Sequence, residues 1–237
     1  MRHGVEWVRR RLVIASHNRG KIAELRDLLA SLGVDVLGLP DLPGATDPDE
    51  PYNTFVENAR HKALLASEFA GLPAVADDSG LMVEALEGRP GVYSSRYGAD
   101  DNERIRRLLA ELDGVPAERR GAQFICAIAL ASEGRILGEW QGCCSGSILT
   151  APRGENGFGY DPVFYSPEAG ASFRSSSIGQ MRLRATTPRT PMLTKSHPDM
   201  SYAAMRAYDI AANRIPALSR PTEWVATRTA MNHLVTD

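Results

Sequence analysis

Short apolar runs alternate with segments of helical period along the first two thirds of the chain. In LVIASHNRGKIAELRDLLASLG, residues 12–33, four apolar residues precede a polar turn. Apolar residues then recur at helical spacing from Ile22 to Leu32, which predicts an amphipathic helix. The same spacing predicts two more helices, over residues 54–69 and 102–112.

Strands are predicted where short apolar runs are rich in β-branched residues: LVIAS, VDVLGL, LPAVADDSG, AQFICAIALAS and RILGEWQGCCSGSIL. The last two runs are joined by SEGR, which is typical of a hairpin turn. The run LPAVADDSG is expected to end at its two carboxylates, Asp77 and Asp78. Helices and strands in this order predict an α/β domain whose central sheet is covered by helices.

Composition narrows the class of protein. The 237 residues are 43% hydrophobic and 24% charged, which suits one large domain or one domain with an appendage. A formal net charge of −2 and a pI near 6.2 provide no overall attraction for nucleic acid or for an anionic membrane, so phosphate binding must be local. No apolar run approaches the roughly 20 residues of a membrane-spanning helix. Residues 1–11 lack the apolar centre of a signal peptide and are expected to form a disordered leader.

Cysteine usage bears on the compartment. The chain has three cysteines, Cys126 and the adjacent pair Cys143 and Cys144. They form neither a disulfide framework nor a spaced zinc motif. A reducing cytoplasm is therefore the expected location.

The turn ASHNRGK carries groups that suit a phosphate. Ser16 and Asn18 supply a hydroxyl and an amide. Gly20 lets the backbone approach a ligand closely, and Lys21 places an ammonium in the first turn of the helix, whose N-terminus already favours an anion. The alternative is that Ser16 or Asn18 caps the helix with no ligand present. The glycine spacing excludes a Walker A loop.

The run AVADDSG places two carboxylates side by side. In a strand, Asp77 and Asp78 point to opposite faces, so only one of them faces a given pocket. Together with an acidic residue from the loop 47–50, that carboxylate can hold a hard divalent cation and orient or deprotonate a water molecule. The alternative is a solvated Asp-Asp-Ser-Gly turn that ends the strand.

The glycine-rich stretch APRGENGFGYDPVFY offers groups for a purine nucleoside. Phe158 and Tyr160 present aromatic faces, and Asp161 presents an acceptor for the base or ribose. Stacking of a base on an aromatic ring contributes about 1–3 kcal/mol. The alternative is a turn with two aromatic residues in the core.

Five motifs resemble the inosine/xanthosine triphosphate pyrophosphatase family, the non-canonical purine NTP pyrophosphatases, in order and spacing. They lie within residues 12–164: SHNRGK, TFVENARHKA, ADDSGLMVEALEGRPGVYSSRYG, AQFICAIALA and GSILTAPRGENGFGYDPVF. The resemblance implies a mixed, elongated central sheet flanked by helices, in two lobes with the active-site cleft between them. It also implies a homodimer that requires Mg²⁺ and hydrolyses dITP, ITP or XTP to the monophosphate and pyrophosphate.

The resemblance further implies roles for individual residues. Asp78 resembles the general base and metal ligand of the family, and Asp77 lies beside it. Glu50 is the expected second ligand of Mg²⁺, with Asp49 and Glu57 as competitors. The candidates for substrate contact are Ser16, His17, Asn18, Arg19, Gly20, Lys21, Lys62, Ser79, Phe158, Gly159, Tyr160 and Asp161.

The resemblance breaks after Phe173. Residues 174–237 lack the acidic helical segment and the Ser-His-Arg motif of the family, and KSHP keeps only Ser196 and His197. The predicted domain therefore spans residues 12–173 and is followed by a loosely ordered segment. Either a remodelled C-terminal third or a reading-frame change accounts for the break. The alternative function is nucleotide binding with impaired or lost catalysis, because the base-recognition segment is missing.

Overall fold

The computed structural model of the protein describes residues 10–30, 34–153, 159–166, 171–172 and 183–184. Its strands and long helices are, in chain order, β1 (Arg10–Ile14), α1 (Arg19–Ala30), β2 (Val34–Gly38), α2 (Phe55–Ala70), β3 (Ala74–Val83), α3 (Asp101–Glu111), β4 (Gly121–Ser132), β5 (Arg135–Ile148), β6 (Phe164–Ser166), β7 (Ala171–Ser172) and β8 (Leu183–Arg184). Within these residues no helix combines the length and the apolar character that crossing a membrane requires.

The strands of the described residues form one mixed sheet. Its order is β2-β1-β3-β4-β5-β6-β7, and β8 pairs with β5. β1 is parallel to β2 and β3, whereas the later neighbours are antiparallel. Parallel neighbours need crossover connections, which contain α1 and α2. The predicted α/β class, with a mixed central sheet flanked by helices, is confirmed.

Local signals account for the element ends that the sequence predicted. Thr54 precedes α2, and its hydroxyl oxygen accepts a hydrogen bond from the Glu57 N–H group at 3.3 Å. Gly71, with φ of 61°, ends the helix in the left-handed conformation. The hairpin between β4 and β5 turns at Glu133 and Gly134, which both have positive φ, as a two-residue turn of type I′ requires.

The core is divided into two clusters by the central strands. One cluster joins α2 to one face of the sheet and consists mainly of small residues, among them Ala59, Ala63, Ala74, Ala76, Ala127 and Ala129. The other contains Leu81, Val83, Ile105, Leu108, Tyr160 and Phe164. Because side chains alternate along β3, Asp78 shares the α2 face with Ala76, and Asp77 shares the opposite face with Leu81.

β3 does not end where the sequence indicated. The strand continues to Val83, and Asp77 and Asp78 pair with Ile128 and Ala127 in the ladder with β4. The predicted strand end and the alternative of a solvated turn at these carboxylates are therefore wrong. The physical reason is that both carboxylates have charged partners on neighbouring helices. Because these partners offset the cost of burial, the strand can continue past both carboxylates.

Two strands extend beyond residues 12–173, the predicted domain, whose bounds stay a prediction. β1 begins at Arg10, inside the segment that was expected to be a leader, because this residue pairs with Val34 on β2. β8 falls within residues 174–237, where a loosely ordered segment was expected, and pairs with β5. His197 lies outside the described residues.

A 3₁₀ helix, Gly91–Arg96, lies directly against β3 at Gly80. A Cβ atom at Gly80 would come within 2.5 Å of the first carbonyl oxygen of this helix and 2.6 Å of Ser94 Oγ, so the contact requires glycine. The Ser94 hydroxyl accepts a hydrogen bond from the Leu81 N–H group at 2.8 Å. The last residue of the 3₁₀ helix, Arg96, is thereby held beside the acidic loop that precedes α2.

Candidate active site

Asp78 is buried on β3 and faces α2. Its Oδ2 accepts a hydrogen bond from Asn58 Nδ2 at 3.1 Å, and its Oδ1 lies 3.4 Å from Lys62 Nζ. Burial, opposed by Lys62 and reinforced by Glu50, raises the pKa of Asp78 to about 6. The carboxyl group therefore ionises near the pH at which a general base is useful.

Glu50 brings a second carboxylate to the same place. Its Oε1 lies 2.8 Å from Lys62 Nζ, and its Oε2 lies 3.0 Å from Arg96 Nη1. Lys62 thus contacts one oxygen of Glu50 and one oxygen of Asp78. The ammonium joins two carboxylates that the sequence places 28 residues apart.

The competing acidic residues have other partners. Asp49 Oδ1 lies 3.0 Å from His61 Nε2. Glu57 accepts a hydrogen bond from the Thr54 hydroxyl at 2.6 Å, as part of the N-terminus of α2. Of the three candidates, Glu50 is the one whose partner also contacts Asp78.

Asn58 ties the acidic loop to Asp78. Its side chain is fully buried, its Oδ1 accepts from the Tyr52 N–H group at 2.9 Å, and its Nδ2 donates to the Tyr52 carbonyl at 3.2 Å. Because Glu50 lies two residues before Tyr52, Asn58 fixes the separation of the two carboxylates. Asn58 was not among the residues predicted from the sequence, although its position four residues before Lys62 on a predicted helix placed both on one helical face.

Replacing Asn58 with alanine should lower the free energy of unfolding by about 2 kcal/mol. The substitution removes a fully buried side chain and leaves the partly buried backbone groups of Tyr52 without their side-chain partner. Urea unfolding followed by circular dichroism measures the loss. Asn102→Ala, on the exposed side of α3, is the matched control and should change the value by less than about 0.5 kcal/mol. Equal unfolding midpoints for the two variants would contradict the role of Asn58.

Lys21 and Asp77 form an ion pair on the opposite face of β3. Lys21 Nζ lies 2.6 Å from Asp77 Oδ2, and the Ser79 hydroxyl donates to the same oxygen at 3.3 Å. Burial alone would raise the pKa of Asp77, but Lys21 and Lys62 hold it below its ordinary value. Burial would likewise lower the pKa of Lys21, but Asp77, and to a smaller extent Asp78, raise it. The two ion pairs therefore act on each other across one strand.

The turn before α1 uses its polar groups to start the helix. Asn18 Oδ1 accepts hydrogen bonds from the N–H groups of Gly20 and Lys21 at 3.0 and 3.1 Å. Ser16 Oγ accepts from the Asn18 N–H group at 3.1 Å. These contacts are the capping arrangement that stood as the alternative to phosphate binding. A phosphate contact by Ser16, Asn18 or Gly20 stays a prediction.

His17 links this turn to the acidic loop. Its Nδ1 lies 2.8 Å from Asp47 Oδ1, so the loop contacts the start of α1 at Asp47 and α2 at Glu50. Arg19 is exposed at the first position of α1. The loop 47–50 therefore contacts both the predicted phosphate-binding turn and Lys62.

Tyr160 lies in the core. The residue is 5% exposed, and its hydroxyl donates to the Ser94 carbonyl at 3.0 Å. The ring in this position packs in the second core cluster, which favours the alternative of a core aromatic residue. A role of Tyr160 in nucleoside binding stays a prediction.

Gly159 and Asp161, which flank Tyr160, lie in different local structures. The Gly159 N–H group donates to Asp101 Oδ2 at 2.7 Å, so its backbone donor is directed at α3. Asp161 begins a short 3₁₀ helix, Asp161–Val163. Phe158 lies outside the described residues, and its predicted role is untested.

The donor set around Lys62 fits a hard cation only in part. Within the described residues there is no group of three or more His, Cys, Asp and Glu side chains that suits a metal ion. Glu50 and Asp78 supply carboxylate oxygens, which Mg²⁺ commonly takes together with water and substrate phosphates. The residues therefore fit Mg²⁺ when a phosphorylated substrate completes the shell.

The fold and these charged groups define an α/β protein with lysine–carboxylate contacts on both faces of β3. The chain belongs to the Ham1 family, whose sequence profile matches residues 12–182. The match extends beyond residue 173, where the domain was predicted to end. A dITP/XTP pyrophosphatase from Geobacillus kaustophilus is 52% identical over 162 residues, which cover 67% of this chain and 79% of the relative. Another, from Geobacter sulfurreducens, is 44% identical over 190 residues, 79% of this chain and 96% of the relative.

Solved structures are similar as well. A HAM1 protein from Coxiella burnetii aligns with a TM-score of 0.64 and 42% identity, over 69% of this chain and 85% of that one. A nucleoside-triphosphatase / dITP/XTP pyrophosphatase from Mycobacterium abscessus aligns with a TM-score of 0.59 and 35% identity, over 89% and 99% of the two chains. The resemblance drawn from the five sequence motifs is confirmed.

Proposed function

We infer that the protein hydrolyses non-canonical purine nucleoside triphosphates, dITP and XTP among them, to the monophosphate and pyrophosphate. Four relatives named dITP/XTP pyrophosphatase are between 44% and 53% identical to it. The observation in this structure that carries the proposal is the convergence of Glu50, Lys62 and Asp78 on one face of β3, with the ion pair of Lys21 and Asp77 on the other face of the same strand. Carboxylates for a cation and ammonium groups for phosphate oxygens are the parts that phosphoanhydride hydrolysis needs.

Each charged residue of the candidate site has its own role in the proposed hydrolysis. Asp78, whose pKa is about 6, is largely ionised at pH 7.5 and accepts a proton from the water that attacks the α-phosphorus. The bond to pyrophosphate then breaks, and Lys21 and Lys62 stabilise the negative charge on the phosphate oxygens. Glu50 and Asp78 would hold Mg²⁺, which neutralises charge on the same oxygens when it is bound.

The proposal also covers the oligomeric state, the location and the partners of the enzyme. It acts as a homodimer in the cytoplasm and takes neither nucleic acid nor a membrane as partner. The dimer follows from the family resemblance of the sequence motifs. The number and spacing of the three cysteines, which do not suit a disulfide framework, support a reducing compartment.

A pyrophosphate-release assay with dITP, XTP, dATP and dGTP in the presence of Mg²⁺ tests the activity. We expect kcat/KM for dITP and XTP to exceed that for dATP by at least about tenfold, in keeping with the relatives named dITP/XTP pyrophosphatase. Magnesium-dependent binding of dITP without release would instead support the nucleotide-binding alternative. Release of inorganic phosphate as the first product would contradict attack at the α-phosphorus.

A further inference from the structure

Lys62 occupies the position between the two carboxylates that a bound cation would take. Its Nζ lies 2.8 Å from Glu50 Oε1 and 3.4 Å from Asp78 Oδ1. The second oxygen of each carboxylate is held by a different residue, Arg96 on Glu50 and Asn58 on Asp78. The two oxygens that face Lys62 are therefore the ones that converge on a common point.

The three side chains are nearly enclosed. Those of Lys62, Glu50 and Asp78 are 11%, 19% and 7% exposed. Because solvent screens charges poorly in such a place, a second cation at these oxygens would repel the ammonium strongly. Lys62 and a divalent cation cannot both keep these contacts.

Lysine is a rare residue type in this chain. Of its 27 Lys and Arg residues only three are lysines, Lys21, Lys62 and Lys195, and the first two lie at the candidate site. An ammonium is a compact point charge, whereas a guanidinium is a planar fork of five donors. A compact charge on a flexible stem can occupy a cation position and also leave it.

We propose that Lys62 is an internal counter-ion that fills the divalent-cation position in the metal-free protein and transfers to the substrate phosphates when the cation binds. The assignment of the substrate phosphates as the second partner of Lys62 rests on the proposed function. The competition between Lys62 and the cation does not. The exchange makes cation binding unfavourable until a triphosphate offers Lys62 a new partner. Lys21 is different, because its partner is Asp77 on the opposite face of β3.

Mn²⁺ binding without nucleotide tests the competition on the full chain. Lys62→Met removes the competing charge and keeps most of the apolar stem, so we expect it to bind Mn²⁺ about tenfold more tightly than the unmodified protein, which corresponds to about 1.4 kcal/mol. Arg60→Met, which removes a positive charge from the same helix but one whose partner is Glu139, is the matched control and should stay within about twofold of the unmodified protein. Titration calorimetry and the electron paramagnetic resonance signal of unbound Mn²⁺ measure both.

The opposite outcomes overturn the proposal. An affinity of Lys62→Met that is equal to or weaker than that of the unmodified protein contradicts the competition, and so does failure of both proteins to bind Mn²⁺. Lys62→Gln, which is neutral but polar, is the second variant and should bind Mn²⁺ more tightly in the same way if the methionine variant does not fold.

A measurement on the unmodified protein gives an independent test. Because the chain has three lysines, ¹⁵N-lysine labelling yields at most three side-chain ammonium signals, which the Lys62→Met and Lys21→Met variants assign. Mg²⁺ alone should shift the Lys62 signal by more than it shifts the Lys21 signal. A Lys62 signal that stays unchanged while Mg²⁺ binds overturns the exchange. Neither experiment uses a nucleotide, so its result is separable from any failure of the proposed hydrolysis.

Discussion

Asp78→Asn should lower kcat for pyrophosphate release from dITP by about 1000-fold or more. An asparagine amide cannot accept the proton of the attacking water, and general-base catalysis contributes about 10²–10⁴-fold. The variant also presents an NH₂ group, in place of a carboxylate oxygen, to Lys62 or to a cation at the same position. Steady-state pyrophosphate release at saturating Mg²⁺ and pH 7.5 measures the effect.

The loss should occur in a folded protein. Burial disfavours the ionised form of Asp78, whose pKa is raised to about 6, so the neutral amide removes an unfavourable buried charge above that pH. The thermal unfolding temperature in metal-free buffer at pH 7.5 should therefore not fall. Asp113→Asn, which makes the same change at an exposed position after α3, should keep full activity. A kcat of Asp78→Asn within tenfold of the unmodified enzyme would remove Asp78 as the base.

The elements that the sequence predicted well are those determined by nearby residues. The helix predicted over residues 54–69 is α2, because the capping residue Thr54 and the stop at Gly71 lie at its own ends. The hairpin at SEGR follows from the two residues of its turn. The end of β3 could not be predicted in this way, because the partner of Asp77, Lys21, lies 56 residues earlier in the chain.

The residues of the candidate site also divide into those that the sequence could predict and those that depend on distant parts of the chain. Residue type and motif order were sufficient to select Asp78, Glu50 and Lys62, which the fold brings into contact. Asn58 escaped notice because an amide on a helix carries no chemical signature, and its role depends on the loop that it holds. The core position of Tyr160 could not be predicted, because a tyrosine suits a binding surface and a core equally well, and the carbonyl that accepts its hydroxyl lies 66 residues away.

Arg120 should be the side chain whose loss costs the most stability among the variants considered. The residue is 4% exposed and donates hydrogen bonds to four backbone carbonyls at 2.9–3.4 Å. These carbonyls belong to Leu112, Val115, Ile148 and Leu149. The guanidinium thus joins the end of α3 and the segment after it to the end of β5.

We expect Arg120→Met to lower the free energy of unfolding by about 4 kcal/mol. Methionine fills part of the volume, but it removes the guanidinium donors from four carbonyl oxygens, two of them in buried contacts and two in partly buried ones. A buried oxygen that is left without any donor costs about 1–3 kcal/mol, and the Leu112 carbonyl keeps the Val115 N–H group. Arg120→Lys should restore less than half of the loss, because one ammonium cannot reproduce a planar fork that reaches two separate segments. Urea unfolding, followed by the fluorescence of the buried Trp140, measures both variants.

The adjacent arginine provides the control for this prediction. Arg119 is exposed, so Arg119→Met should change the free energy of unfolding by less than about 0.5 kcal/mol. A similar loss in the two methionine variants would mean that charge or local helix content, rather than the carbonyl contacts, sets the stability here. A loss below about 1 kcal/mol for Arg120→Met would mean that water reaches the carbonyls once the guanidinium is gone. The second cluster of the core would then be held by apolar packing alone, because the contacts from Arg120 to the ends of α3 and β5 would contribute little.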